Sequence, residues 1–78
     1  MRILINMTDS TGSHRTTRLT INNCNDTSEL IKQITKLLNI NKNAYIFRVK
    51  NEIVNLRILD GWTIDTYNIK NGTWILIE

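Results

Sequence analysis

Apolar and polar positions alternate with a period of two near both ends of the chain and with a helical period once between them. Met1 to Met7 (MRILINM) sets Ile3 and Ile5 on one face and Arg2, Leu4 and Asn6 on the other, which predicts a strand with one buried side. Thr17, Leu19 and Ile21 alternate with Thr16, Arg18 and Thr20 across Arg15 to Ile21. Between the two runs lies the turn cluster Thr8 to Ser13, where Gly12 can take a positive φ, so the pair predicts a β-hairpin. After the polar segment Asn22 to Asn25 the period changes. Asp26 stands at a helix N-cap position with Glu29 three residues on, in capping-box spacing. Leu30, Ile31, Ile34, Leu37 and Leu38 then recur at helical spacing and are expected to face a sheet, with Lys32, Gln33 and Lys36 toward water and Asn39 as the stop.

The second half returns to strands. Ala44 to Lys50 predicts one with Tyr45, Phe47 and Val49 on one face and Ile46, Arg48 and Lys50 on the other. Asn51-Glu52 reads as a turn and Ile53 to Ile58 as a strand paired back on it. Leu59 to Ile77 (LDGWTIDTYNIKNGTWILI) supplies a turn, a single helical turn ending in Tyr67-Asn68-Ile69, a second turn at Lys70-Asn71-Gly72 and a closing strand, Thr73 to Glu78. In that last strand Ile75 and Ile77 face one way and Trp74, Leu76 and Glu78 the other. The order is strand, strand, helix, strand, strand, short helix, strand: an α+β fold in two layers, with one long helix on a mixed sheet.

Seventy-eight residues predict a single domain, 1–78, with room for one core. The lone cysteine, Cys24, excludes an intramolecular disulfide and suits a reducing compartment, so the expected setting is cytoplasmic or nuclear. No apolar run reaches the ~18 residues of a membrane-spanning helix, and no basic-then-apolar leader precedes the first strand. The net charge of +3 is spread along the chain and favours acidic partners only mildly. His14 has no carboxylate or cysteine held near it by spacing, and Cys24 has neither a helix start nor a basic pair to depress its pKa. With three glycines there is no phosphate-cradling loop. No catalytic, cofactor or metal site is expected, and an enzyme is the least favoured class.

The segment Leu59-Asp60-Gly61, Thr63-Ile64 and Tyr67-Asn68-Ile69, with Met1 to Ile5 as opening strand and Asp26 to Leu38 as the helix, resembles ubiquitin and the ubiquitin-like domains. The resemblance covers nearly the whole chain and implies the β-grasp fold and a place in the ubiquitin pathway. It also implies a structural role for Tyr67, whose hydroxyl would bond nearby backbone. Three departures follow. The chain as given ends at Glu78 without the paired glycines of conjugated members. At positions matching the family's apolar recognition surface, Arg48, Leu76 and Glu78 stand near the loop Thr8 to Ser13, so two charges replace aliphatic groups. Desolvating those charges against an ordinary ubiquitin receptor would cost several kcal/mol. The connections near Asp9 to Ser13 and Asn51 to Asn55 are longer than in ubiquitin.

With the family's strand order, Leu4, Trp74 and Leu76 become neighbours on the solvent side, flanked by Ile46 and Arg48. Apolar groups beside an arginine and a tryptophan predict a protein-binding face made of these five residues. The expected function is a non-catalytic, monomeric interaction domain, the amino-terminal module of a larger protein. One alternative is a ubiquitin-like modifier lacking its tail. Another is RNA binding by Arg2, Arg15, Arg18, Arg48 and Lys50 with Trp74 as a stacking platform. Trp62 is expected to pack over its own turn.

Overall fold

The computed structural model describes residues 1–50 and 54–78. Five strands, β1 (Arg2–Thr8), β2 (His14–Thr20), β3 (Phe47–Lys50), β4 (Asn55–Arg57) and β5 (Trp74–Ile77), form one sheet in the order β2-β1-β5-β3-β4. The β1–β5 pair is parallel and the others are antiparallel. Helix α1 (Thr27–Leu38) packs its apolar stripe into the same core as the inward residues of the sheet. First and last strands side by side, with one helix across a single face, make the β-grasp arrangement that the resemblance implied.

The period-two readings of β1 and β5 hold in detail. Ile3, Ile5 and Met7 are buried from β1, Ile75 and Ile77 from β5, and Phe47 and Val49 from β3. Leu30, Ile31 and Ile34 meet them from the helix, and Ile21, Ile58, Ile64 and Ile69 close the edges. The helix starts as its cap predicts: the Asp26 carboxylate accepts from the Glu29 amide at 2.9 Å. It ends at Asn39, which takes the left-handed conformation at φ 54° and donates its amide to Lys36 and Thr35 carbonyls. Its 12 residues make a little over three turns, long only beside the two short 3₁₀ turns.

Several boundaries shift for physical reasons. Leu37, expected in the helix stripe, is more than half exposed. At about 100° per residue it lies on the flank of Ile34 away from Ile31, so the buried arc passes through Leu38 instead. β3 begins at Phe47, because Asn41 accepts from the Asn43 amide at 3.0 Å and winds Lys42–Ala44 into a 3₁₀ turn where alternation suggested strand. Ile46 still extends the ladder by exchanging backbone hydrogen bonds with Glu78, at 2.8 and 3.1 Å. β4 is shorter than the run Ile53 to Ile58, and the turn expected at Asn51-Glu52 lies outside the described residues. Ile21 falls past the end of β2 yet is buried, its amide donating to the Met1 carbonyl at 2.7 Å.

The first hairpin connection is held by one side chain. Asp9 accepts from the Thr11 amide, the Thr11 hydroxyl and the Ser13 amide at 2.6 to 3.0 Å, and Gly12 sits at φ 83°. The Thr11 hydroxyl foremost, with the Ser13 and Thr11 amides and the charge of Arg15, holds the Asp9 carboxyl below its ordinary value of 3.8. These bonds favour the ionised form. Their contribution to the hairpin is therefore complete above the ordinary aspartate range and is lost as pH falls through the lowered folded value. A carboxyl-carbon NMR titration should place the Asp9 midpoint below 3.8, and Thr11→Val should move it upward. A wild-type midpoint at or above the ordinary value would contradict the arrangement.

Candidate functional site

Outward-pointing residues alternate with the buried ones, so the register between strands fixes what stands beside what on the face opposite the helix. Leu4 is the partner of Arg18 on β2 and of Trp74 on β5. Continuing the β3–β5 register places Lys50 opposite Trp74, and its ammonium lies over the indole at 5.7 Å from the ring centre. One row across the sheet therefore reads Arg18, Leu4, Trp74, Lys50. The next reads Thr16, Asn6, Leu76, Arg48, Arg57. A third holds Ile46 opposite Glu78.

The five residues expected to form the face are brought together by these rows. Leu4, Trp74, Leu76, Ile46 and Arg48 are all half-buried, each shielded by its neighbours on adjoining strands. The two charges that replace aliphatic groups meet each other: Arg48 Nη1 donates to Glu78 Oε1 at 2.8 Å. Both side chains remain partly in water, so the pair's own worth is small, about 0–1 kcal/mol. Its effect is local, because Arg48 also faces Arg57 directly and like charges in that register repel.

One expected residue falls elsewhere. Arg15 is the register partner of buried Met7, so it belongs to the opposite side of the sheet from Trp74 and cannot join a basic platform around it. Trp62 keeps half its surface exposed, while its backbone is fixed to the helix start. Tyr67 takes the role implied for it, its hydroxyl accepting from the Leu59 amide at 2.9 Å. Arg57 belongs to the outer face and was not singled out by the sequence; its alternation with buried Ile58 is the signal that could have placed it there.

The remaining reactive groups are occupied or quiet. His14 Nδ1 shares a hydrogen bond with the Thr8 hydroxyl across the hairpin at 2.9 Å and is exposed. Burial first, then the carboxylates of Glu29 and Asp26, pushes the Cys24 thiol up, which disfavours the nucleophilic thiolate. Among the described residues, no group of three or more histidine, cysteine, aspartate or glutamate side chains is placed to hold a metal ion. No helix among them is long and apolar enough to cross a membrane.

No protein-family model and no curated protein matches the sequence. Among solved structures, the chain is similar to a ubiquitin-like protein from the hyperthermophilic archaeon Caldiarchaeum subterraneum, at 13% identity. That match covers 99% of this chain and 92% of the other, with a TM-score of 0.48. At that distance it adds nothing about partners or chemistry, and the assignment rests on strand order, the central parallel pair and the single covering helix. On that topology the chain has the ubiquitin-like β-grasp fold.

Proposed function

We propose that this chain is a non-catalytic ubiquitin-like interaction module that binds a protein partner through the outer face of its sheet. The observation that carries the reading is the contiguity of Leu4, Trp74 and Leu76 on two adjoining central strands, on the face away from the helix. Tryptophan, which stands between Leu4 and Lys50 on this face, is among the residue types that most often anchor protein interfaces. The surrounding polar positions Asn6, Thr16 and Arg48 supply the rim that interfaces of this kind use.

Trp74→Ala should weaken partner binding at least about tenfold, the effect of losing an anchor of this kind. The fold should survive, because Trp74 points away from the core that Ile75 and Ile77 fill. Leu4→Ser, on the neighbouring strand, provides a second variant, with amide spectra confirming the fold of each. Shift perturbations by a partner that fell on the helix side alone, with both variants binding normally, would overturn the reading.

A further inference from the structure

We infer that the outer face takes an acidic partner segment, an apolar side chain seated over Leu4 and Trp74 with carboxylates reaching Arg18 on one side and Lys50 on the other. This rests on the outer-face reading above and adds the chemistry of the partner.

The charge distribution is the first ground. Among the described residues the outer rows carry Arg2, Arg18, Arg48, Lys50 and Arg57 against one carboxylate, Glu78. That is a surplus of four on one face, where the whole chain's net charge is +3. Three other carboxylates are committed elsewhere, Asp9 to the hairpin turn, Asp26 to the helix cap and Asp60 to Lys42 at 3.2 Å. Glu78 meets only Arg48, and Arg18, Lys50 and Arg57 have no ion-pair partner among the described residues. Such a field favours an anionic partner and disfavours a cationic one.

Geometry supplies the second ground. Neighbouring strands lie about 4.7–4.9 Å apart, so Arg18 and Lys50, three strand spacings from each other, stand roughly 14 Å apart across the row. The apolar pair Leu4 and Trp74 lies between them. Beside Leu4 a groove lined by Met1, Ile3, Thr20 and Gly72, with Arg18 at its border, offers a recess for an aliphatic anchor. A partner that straddles this row must present apolar groups in the middle and negative charge at both flanks.

A nucleic acid is also anionic, but one contact argues for protein. A base needs the whole flat of the Trp74 ring to stack on, and the Lys50 ammonium already lies over that ring, whereas an aliphatic side chain needs only the ring edge beside Leu4. A carboxylate would meet the same ammonium without displacing it.

The test is selection of short random peptides, displayed on phage, against the immobilised chain, with Trp74→Ala as counter-selection. Synthetic copies of the winners are then titrated into wild type, Arg18→Glu and Lys50→Glu, beside an oligouridylate. Enriched peptides should carry aspartate or glutamate on both sides of an apolar residue, bind more weakly as salt rises, and lose at least about tenfold in affinity to each charge reversal. Winners that need Trp74 but lack acidic flanks, or that ignore both reversals, would overturn the acidic-partner inference and leave the outer-face reading standing. Winners indifferent to Trp74→Ala, or no enrichment at all, would overturn both. Tighter binding of the oligouridylate at the same face would overturn the protein partner in favour of single-stranded RNA.

Discussion

Replacing Ile75 by alanine is expected to lower the unfolding free energy by about 2–5 kcal/mol. Ile75 is fully enclosed on β5, the strand hydrogen-bonded on one side to β1 and on the other to β3. Its register partners, Ile5 and Val49, are themselves buried, so the space left by truncation is walled by side chains whose backbones are pinned in ladders on both flanks. Such a site cannot collapse, which places the cost toward the upper part of the range. A chain of 78 residues has roughly 4–12 kcal/mol of total stability on per-residue averages, so this one change removes a large share of it. Urea unfolding followed by tryptophan fluorescence should show the midpoint falling with the slope unchanged. A loss below about 1 kcal/mol would contradict the enclosure of this position. The adjacent residue, Trp74, points to the other face, so neighbouring substitutions on one strand should separate stability from binding.

Strand β1 and strand β5 were legible because each has one fully buried face, and a one-residue slip would have turned isoleucines into water. The helix limits were legible for a different reason: Asp26 and Asn39 do at each end what their side chain and backbone favour locally. Where two local preferences competed, pattern alone chose wrongly. Ala44 to Lys50 alternates throughout, yet the Asn41 side chain closes a turn over its first residue. Leu37 is apolar and helically spaced, but the width of the buried arc depends on what packs against it. The candidate face was half legible. Alternation shows that Leu4, Trp74 and Leu76 point away from the core. That they lie side by side follows from strand order, which came from the resemblance to ubiquitin-like domains. The lateral register, which puts Arg18 and Lys50 at the two ends of Leu4 and Trp74 and sends Arg15 to the opposite side, is set by turn geometry and core packing. No single strand's sequence contains it.

Thr27→Val should be the second costly change, and it tests how the segment Leu59 to Ile64 is tied to the helix. Among the described residues Thr27 is the one polar residue with a fully buried side chain, at the first position of the helix. Its hydroxyl donates to the Leu59 carbonyl at 2.5 Å and accepts from the Trp62 amide at 3.3 Å, while its own amide donates to the Trp62 carbonyl at 2.8 Å. The Ser28 hydroxyl takes the Gly61 amide at 2.9 Å, and the Ile64 amide reaches the Asn25 carbonyl at 3.0 Å. The turn is thus laid against the helix start by polar bonds, and the hydroxyl of Thr27 is the innermost of them. Valine keeps the volume and removes the hydroxyl, leaving the Leu59 carbonyl without its donor and the Trp62 amide without its acceptor, at about 1–3 kcal/mol for each group. Thr27→Ser keeps both bonds and gives up one methyl group, about 1 kcal/mol. The expected order of stability is wild type, Ser, Val, with hydrogen exchange at the Trp62 amide accelerating in the valine variant alone. If the two variants unfolded at the same urea concentration, the buried hydroxyl would contribute no more than its methyl neighbour, and the turn would owe its position to Ile58, Ile64 and Ile69 in the core.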